Sequence, residues 1–394
     1  ARLGLLGQQC FFLFGVFLFL MVLGLPAVQG QAAAPTITAE AAILIEASTG
    51  RVLYEKNADA RKYPASLTKM MTCILGLEAG KPTASLTISA DAAGTEDSAL
   101  GLAAGDKISL SELLAGMMLV SDNGAALDVS QYLSSSPGAF AGQMNKKAQE
   151  IGARHTHFQN PNGLPDPEHY STARDLAKIA AYGMKNPAFR QIVGQKERIV
   201  YWQHPAGRQL TAKNTNELLG RFQGMTGIKT GWTKAAGGCL AASARRSGVE
   251  LIAVVLHASS METRFSDAAA LLDYGFGNIT AVKGIDRART EKTAWVRDGR
   301  DYRVTLHPAA DVYFPLIGGE TAGHYSVKYD MPWVVSAPVQ AGERVGSLVL
   351  CYDGQEVNRV AMLADEDIAS GFSLKSFIVG LCSSMLHSLQ GMLG

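Results

Sequence analysis

The sequence has no excess of charge of either sign, since 36 Lys and Arg residues against 35 Asp and Glu residues leave a formal net charge of +1. It also has no long basic run, and both absences argue against a nucleic-acid-binding protein. Its 8 histidines form no His-Glu-x-x-His or comparable cluster, and His155-Thr156-His157 alone is a weak pattern for a metal site. We therefore expect neither a nucleic-acid partner nor a bound metal.

Cysteine is scarce, with 5 residues in 394 and no Cys-x-x-Cys pair. Cys73, Cys239, Cys351 and Cys382 are widely separated in apolar surroundings, so we expect buried free thiols rather than a disulfide framework. Cys10 precedes the apolar run near the N-terminus instead of following it, which argues against a lipoprotein cleavage site.

The N-terminal segment has the layout of an export signal. Arg2 precedes an apolar run from Phe11 to Leu25, and the small residues of segment 26–34 follow. A basic start, an apolar stretch and small residues at the cut are typical of a signal peptide, so we assign residues 1–34 to a signal peptide and linker. The alternative is an uncleaved N-terminal anchor, because the apolar stretch can be counted from Leu3. Both interpretations place the remainder outside the cytoplasm.

Residues 35–278 alternate between strand and helix patterns. Segments 42–46 and 51–55 flank a turn and predict a hairpin, and several amphipathic helices follow. Segments 239–244 and 251–256 are almost continuously apolar, which is typical of central strands buried on both faces. The order of strands, helices, strands and a last helix predicts an antiparallel sheet with helices packed on it.

The last third of the chain is different. Helical periodicity is absent from residues 279–366, where short strands such as 303–306 and 344–350 alternate with Gly and Pro turns, so we expect a small all-β sandwich without catalytic groups. Residues 367–394 predict an amphipathic helix that is too polar on one side to span a membrane. Its apolar face would consist of Leu374, Phe377, Ile378, Leu381, Met385, Leu389 and Met392. The alternative is a helix docked on its own protein.

A polar Ser-x-x-Lys step stands at the start of an apolar run. Pro64 disfavours helical geometry before it, so a helix can begin at Ala65 or Ser66, and Ser66 and Lys69 then share one face. A serine hydroxyl needs an adjacent base to act as a nucleophile, and a lysine can serve if burial or a cationic neighbour lowers its pKa. Taken alone, the tetrapeptide favours a serine N-cap followed by a solvated lysine, because short motifs recur by chance.

Two further motifs follow in the chain. Ser121-Asp122-Asn123-Gly124 is a polar turn between two apolar helices, where Asp122 is expected to shape the loop, and the segment 227–231 reads as a short strand containing Lys-Thr-Gly. Ser-x-x-Lys, Ser-Asp-Asn and Lys-Thr-Gly in this order are known from class A β-lactamases and penicillin-binding proteins. From Ala41 to about Phe276 the chain resembles the serine D-alanyl-D-alanine carboxypeptidases, the low-molecular-weight penicillin-binding proteins. The segments 160–166 and 170–175 and the overall layout are similar to that family as well.

The resemblance implies an α+β fold, namely a β-lactamase/transpeptidase-like catalytic domain followed by the small β domain and the amphipathic helix. It implies that Ser66 attacks the D-Ala-D-Ala carbonyl, that Lys69 removes the Ser66 proton, and that Ser121 relays a proton to the leaving amine. Acylation, loss of D-alanine and hydrolysis would follow without a cofactor.

The binding residues are implied in the same way. Asn123 would hold the peptide's amide, and Lys229 and Thr230 would bind the terminal carboxylate on a strand that continues through Gly231 and Trp232. The oxyanion would lie between the backbone N–H groups of Ser66 and Trp232. The expected partners are peptidoglycan stem peptides, β-lactam antibiotics as covalent inhibitors, and membrane lipid through the C-terminal helix. The expected location is the outer face of the bacterial cytoplasmic membrane.

Two other functions compete with this one. A class A β-lactamase needs a glutamate within a Glu-x-x-x-Asn pattern to activate the deacylating water, but Glu168, the nearest candidate, is followed by His169-Tyr170-Ser171-Thr172. A cell-envelope binding protein with a dead site would have lost at least one of the three motifs, and all are present.

Overall fold

The structure is a computed structural model that describes residues 33–393. The predicted signal peptide, the alternative N-terminal anchor and Cys10 therefore lie outside the described residues, as do the side chains of Met385, Leu389 and Met392.

A five-stranded antiparallel sheet forms the centre of the first domain, with the strand order β2-β1-β9-β8-β7. Its strands are β1 (Ala41–Glu46), β2 (Val52–Lys56), β7 (Met225–Thr233), β8 (Gly237–Arg246) and β9 (Val249–Ala258). The predicted hairpin and the two predicted central strands are among them, and both faces of β8 and β9 are buried along most of their length. This confirms the antiparallel sheet.

Helices cover both faces of this sheet. They are α1 (Lys69–Glu78), α2 (Ala90–Ala93), α3 (Leu110–Val120), α4 (Asn123–Leu133), α5 (Pro137–Ile151), α6 (Ala173–Met184), α7 (Pro187–Val193) and α8 (Thr263–Gly277). Side chains of a strand alternate between its faces, so Ile43 and Ile45 pack into the core formed with α1 to α7, whereas Leu44 packs against α8. The core of the helical cluster positions the Ser66 segment.

Helix ends follow the capping signals only in part. Thr172 caps α6 by accepting a hydrogen bond from the Asp175 N–H at 3.1 Å, and Ser109 caps α3 by accepting one from the Glu112 N–H at 3.3 Å. Ser109 and Glu112 have the spacing of a capping box, but the Glu112 carboxylate does not complete it. It accepts a hydrogen bond from the Tyr201 N–H at 3.2 Å instead, because a strand that the sequence analysis did not assign lies beside it.

That strand belongs to a second sheet of order β3-β4-β5-β6. Its members are β3 (Ser85–Thr87), β4 (Lys107–Ser109), β5 (Glu197–His204) and β6 (Gln209–Lys213). In β5 only Val200 and Trp202 are buried, so the apolar signal of this strand is too weak to be recognised in the sequence.

The C-terminal region is an all-β domain, as predicted. Its strands are β10 (Ile279–Ile285), β11 (Lys292–Arg297), β12 (Arg303–Pro308), β13 (Val312–Ile317), β14 (Tyr325–Asp330), β15 (Val334–Ser336), β16 (Arg344–Tyr352) and β17 (Gln355–Ala364). β10 pairs with β13, and the other six form one sheet of order β14-β16-β17-β12-β11-β15. Ile368 is buried in the core of this domain and bridges to Val339, so the β structure continues beyond residue 366.

Arg51, in the turn that leads into β2, joins the two domains. Its guanidinium donates to both carboxylate oxygens of Glu320, at 2.5 and 2.8 Å, and to the Tyr325 hydroxyl at 3.0 Å. It also lies 3.8 Å from the centre of the Tyr352 ring. A paired and stacked arginine of this kind fixes the orientation of one domain on the other.

The last helix, α9 (Leu374–Leu393), contacts the β domain through its polar side. The Ser376 hydroxyl is buried, donates to the Val296 carbonyl at 2.9 Å and accepts from the Gly299 N–H at 2.9 Å. Leu374 and Phe377 are 66% and 55% exposed. The helix is thus docked on its own protein, but the apolar side chains described in its first half, from Leu374 to Leu381, are largely exposed.

None of the helices within the described range has the length and apolar character needed to cross a membrane.

All four cysteines of the described range are free thiols, as expected, but the burial prediction was wrong for Cys382, which is exposed. Its apolar neighbours in the sequence belong to the helix face that the β domain leaves uncovered.

Candidate active site

Ser66 lies in the second position of a 3₁₀ turn, Ala65–Thr68, that runs directly into α1. The turn begins at one of the two predicted residues. Ala65 has a φ of 48°, a left-handed conformation that residues other than glycine rarely adopt. The surrounding segments must therefore hold Ala65 in this conformation. The conformation of Ala65 sets the direction of the chain at Ser66 and so orients the Ser66 side chain.

Lys69 is fully buried, and its amine is the centre of the site. Nζ lies 2.9 Å from Ser66 Oγ, 2.7 Å from Asn123 Oδ1 and 2.8 Å from the Asn162 carbonyl oxygen. Burial lowers the Lys69 pKa from its ordinary value to about 7, against an opposing effect of the Asp122 and Asp97 charges. A substantial fraction of the amine is therefore neutral near pH 7, as a lysine base requires.

The Ser-Asp-Asn motif connects α3 to α4. The predicted four-residue loop is shorter in the structure, because Asn123 and Gly124 already belong to α4. Ser121 ends α3 in a left-handed conformation with a φ of 65°. Asp122 caps α4 by accepting from the Ala125 N–H at 2.7 Å and also accepts from the Leu100 N–H at 2.7 Å.

Both ends of the Asn123 carboxamide have partners. Oδ1 accepts from Lys69, and Nδ2 donates to the Glu96 carbonyl at 3.0 Å. Because the Glu96 carbonyl can only accept, this contact fixes which end of the carboxamide faces Lys69. The predicted role of Asn123 in holding the substrate amide remains a prediction, and orienting Lys69 is a contact that the sequence analysis missed.

The Lys-Thr-Gly motif lies on β7, an edge strand of the central sheet. Lys229 is buried, and burial, with the Lys69 and Arg264 charges, lowers its pKa well below the ordinary value. The Thr230 hydroxyl lies 2.6 Å from the Thr215 hydroxyl. A Cβ on Gly231 would lie 3.1 Å from the Ser66 nitrogen, so β7 passes directly beside the nucleophile.

Trp232 follows on the same strand, and its side chain is 51% exposed. The eight predicted site residues thus come from three segments of the chain. The structure joins the Ser66 turn to the Ser-Asp-Asn motif through Lys69 and places β7 against the turn.

Arg264 is a residue of this site that the sequence analysis missed. It is the second residue of α8, it is 8% exposed, and its Nη1 donates to the Gly231 carbonyl at 2.9 Å. Its Nε has no hydrogen-bond partner among the described residues. The arginine therefore provides a buried positive charge with an unused donor behind the Lys-Thr-Gly strand. No motif in the sequence connects it with Lys229.

The loop that supplies the Asn162 carbonyl packs directly on the nucleophile turn. Gly163 has a φ of +90°, and a Cβ at this position would lie 1.9 Å from the Ala65 carbonyl oxygen. The Asn160 side chain closes the loop by accepting from the Gly163 N–H at 2.7 Å. His169 secures the same region, since its Nδ1 accepts from the Gln159 N–H while its Nε2 lies 2.8 Å from Thr68 Oγ1.

Glu168, the residue considered as a β-lactamase base, is exposed. Its backbone N–H donates to Asp166 at 2.8 Å, and its carbonyl lies 2.7 Å from His157 Nδ1. The hydrogen-bond partners of the Lys69 amine are a hydroxyl, a carboxamide and a backbone carbonyl, and none is a carboxylate.

Comparison with known proteins places this geometry in context. A family model described as D-alanyl-D-alanine carboxypeptidase matches residues 28–260, and one described as penicillin-binding protein 5, C-terminal domain matches residues 283–370. The D-alanyl-D-alanine carboxypeptidase DacF of Bacillus subtilis is 34% identical over 335 residues, which are 84% of this chain and 86% of that protein. DacC of Escherichia coli is 30% identical over 90% of both chains.

Solved structures agree with these sequence matches. The D-alanyl-D-alanine carboxypeptidase DacD from Francisella tularensis superimposes with a TM-score of 0.62 at 27% identity, covering 89% of this chain and 98% of that one. The Streptomyces K15 DD-transpeptidase superimposes with a TM-score of 0.59 at 36% identity, covering 62% of this chain and 99% of that one.

Proposed function

Because the chain belongs to the D-alanyl-D-alanine carboxypeptidase family, we propose that Ser66, Lys69 and Ser121 are the catalytic residues with which it cleaves the terminal D-Ala-D-Ala bond of peptidoglycan stem peptides. The protein is a serine-type carboxypeptidase of the penicillin-binding class. It acts on peptidoglycan, in the periplasm or outside the cell.

The observation that carries the proposal is the set of contacts of the Lys69 amine. A neutral amine has two N–H donors and one lone pair. Asn123 Oδ1 and the Asn162 carbonyl, at 2.7 and 2.8 Å, both accept and use the two donors. The lone pair is then left for the third neighbour, the Ser66 hydroxyl at 2.9 Å. In its neutral form Lys69 is therefore oriented to accept the Ser66 proton.

Acylation follows from this arrangement. Ser66 Oγ attacks the carbonyl carbon of the penultimate D-alanine while its proton passes to Lys69 Nζ. The oxyanion is stabilised by the backbone N–H groups of Ser66 and Trp232. The C–N bond then breaks as Ser121 relays the proton held by Lys69 to the departing amine of D-alanine, so that Lys69 is neutral again and a Ser66 ester remains. Water hydrolyses this ester and restores the free hydroxyl.

The substrate carboxylate would bind beside β7. Lys229 and Thr230 lie on this strand, and Arg264 adds a buried charge with an unpaired Nε. A hydrogen bond in which one partner is ionised is about twice as strong as a neutral one, so a free carboxylate gains more here than an uncharged end does. Gly231 lets the strand approach the Ser66 turn, and Asn123 would hold the peptide's amide.

Replacement of Lys229 tests the carboxylate site. The change Lys229→Ala should reduce kcat/KM for peptides with a free C-terminal carboxylate by about 10- to 100-fold, since a hydrogen bond to a charged group contributes roughly 1.5–3 kcal/mol. The kcat/KM for C-terminally amidated peptides should fall much less, because their C-terminal amide carries no negative charge that Lys229 could bind. Lys234→Ala, on an exposed lysine near the end of the same strand, is the matched control. Equal losses on both peptides would indicate damage to the strand or a role in proton transfer.

The rate of deacylation after reaction with penicillin distinguishes this enzyme from a β-lactamase. Penicillin would acylate the serine of either enzyme, but because this chain lacks a Glu-x-x-x-Asn base we expect slow deacylation of Ser66. Mass spectrometry after incubation should show one penicillin on the Ser66 peptide for minutes or longer. A D-Ala-D-Ala peptide in a parallel reaction should release D-alanine. Rapid turnover of penicillin with no release of D-alanine would contradict the carboxypeptidase assignment.

The domain organisation and the membrane contact complete the proposal. Residues 1–34 would be the signal peptide and linker, 35–278 the catalytic domain and 279–366 the β domain, whose structured part continues to about Gly371. Residues 367–394 would contain the helix that holds the enzyme on the outer face of the cytoplasmic membrane. The exposed Leu374, Phe377 and Ile378 side chains support this role, because apolar burial in a lipid surface needs an uncovered apolar face.

A further inference from the structure

The β domain presents exposed aromatic side chains close to the start of α9. Trp333 is 85% exposed, more than any other large hydrophobic side chain of the described residues, and Trp295 is 43% exposed. Neither belongs to the core of the domain, which contains side chains such as Val296, Leu306 and Tyr325. Packing of the domain therefore does not explain their presence.

These aromatic residues form one strip that reaches α9. The Trp295 N–H donates to the Trp333 carbonyl at 2.9 Å, so the two backbones are neighbours. The Trp295 ring stacks on the Tyr302 ring with 5.9 Å between centroids, and Lys375 of α9 lies 4.7 Å from the centre of the Tyr302 ring. We call Trp295, Tyr302 and Trp333 the aromatic strip. It runs from the edge of the sheet to the first turn of the helix.

Basic side chains surround this strip. We call Arg297, Arg300, Arg303 and Lys375 the basic group, and within the described part of the chain none of the four forms a salt bridge. Arg303 and Lys375 lie over the Tyr302 ring, and Arg297 donates to the Ser336 hydroxyl. Asp298 and Asp301 lie in the same region and offset two of these four positive charges.

The chemistry of this surface matches the polar region of a bilayer. Tryptophan and tyrosine concentrate at the membrane–water boundary, because their rings are amphipathic. Lysine and arginine near the surface are attracted by anionic headgroups, with a contribution that corresponds to about fivefold in affinity for each cation. The largely exposed apolar side chains in the first half of α9 lie beside them, so all three features are available to one lipid surface.

We propose that the aromatic strip and the basic group form a second membrane-contacting surface, which binds anionic phospholipid headgroups beside α9. This inference rests on the membrane role proposed for α9. The helix would supply the apolar contact, whereas the β domain would supply preference for anionic lipid and fix the angle of the protein on the membrane. Because Arg51 and Glu320 lock the catalytic domain onto the β domain, that angle would also set the direction in which the Ser66 site faces the wall.

Vesicle binding by the full chain tests the surface. The affinity for vesicles of phosphatidylcholine alone reports the contribution of α9. The affinity for vesicles with one third phosphatidylglycerol reports the contributions of α9 and of the basic group together. We expect tighter binding to the anionic vesicles, with the difference removed by moderate salt. The double change Arg300→Glu and Arg303→Glu should reduce binding to anionic vesicles more than tenfold and leave binding to neutral vesicles within about twofold. Arg221→Glu, whose side chain is 75% exposed in the catalytic domain, is the matched control.

The fluorescence of Trp333 provides a second readout that does not depend on charge. Brominated lipids should quench the full chain more than the Trp333→Phe variant, while Tyr201→Ala, on a 52% exposed residue of the catalytic domain, changes nothing. Penicillin acylation of each variant verifies folding. Equal binding to both kinds of vesicle, or charge reversal without effect, would overturn this proposal and leave the role of α9 intact. Absence of binding to either kind of vesicle would overturn both.

Discussion

Replacing Lys69 by methionine should slow acylation of Ser66 by penicillin by about 10⁴-fold, because the hydroxyl loses the amine that is oriented to accept its proton. Ser66→Ala should abolish the adduct altogether. Methionine has nearly the length of lysine and carries no charge, so the buried space remains filled. The Asn123 Oδ1 atom and the Asn162 carbonyl each lose a donor, which should cost about 1–3 kcal/mol of folding stability for each group. The rate constant for adduct formation is measured by mass spectrometry of the Ser66 peptide.

The matched control is Lys234→Met, which removes an exposed lysine and should leave the acylation rate within about twofold, as surface substitutions usually do. Circular dichroism establishes that the Lys69→Met protein is folded. A folded Lys69→Met protein that acylates within tenfold of the unchanged chain would show that another group takes the Ser66 proton.

Gly163→Ala should have the second-largest effect, through sterics alone. The position has a φ of +90°, and the new methyl group would lie 1.9 Å from the Ala65 carbonyl oxygen, so the loop must move. Movement of the loop withdraws the Asn162 carbonyl from the Lys69 amine and releases the left-handed conformation of Ala65. We expect the acylation rate to fall by about 10²-fold or more, since displacement of a positioning group by 1 Å can have this effect. Stopped-flow measurement of penicillin binding gives the rate.

Gly142→Ala is the control for this change. Gly142 lies inside α5 with nothing within 4 Å of its added Cβ, so alanine should stabilise the helix by about 0.5–1 kcal/mol and leave acylation unchanged. If Gly163→Ala acylates at the normal rate, the contact between the 160–166 loop and the nucleophile turn is not needed for catalysis.

The parts of the site that the sequence predicted are those that depend on local patterns. Pro64 and the spacing of Ser66 and Lys69 determine where the helix begins and which side chains share its face. Asp122 was expected to shape its loop, and the structure shows it as the cap of α4. Strands β8 and β9 were recognised because they are buried on both faces and therefore almost continuously apolar.

The parts that were missed depend on contacts between distant segments. The Asn162 oxygen that holds Lys69 belongs to the backbone, so the identity of residue 162 carries no signal for it. Arg264 enters the site from the first turn of α8, more than thirty positions after Lys229, and a single arginine has no motif. Strand β5 pairs with β4 and β6 but has only two buried side chains, so its apolar pattern is weak. In α9 the pattern predicted an amphipathic helix, but which face meets the β domain depends on the Ser376 contacts.

The dependence of acylation on pH tests the central claim, that neutral Lys69 is the base for Ser66, more directly than any substitution. Burial lowers the Lys69 pKa to about 7, and only the neutral amine can accept the proton. The second-order rate constant for penicillin acylation, measured from pH 5 to pH 9, should therefore rise tenfold per pH unit on the acid side and level off above an apparent pKa of about 7. A rate that does not change over this range, or that still rises steeply at pH 9, would contradict the account.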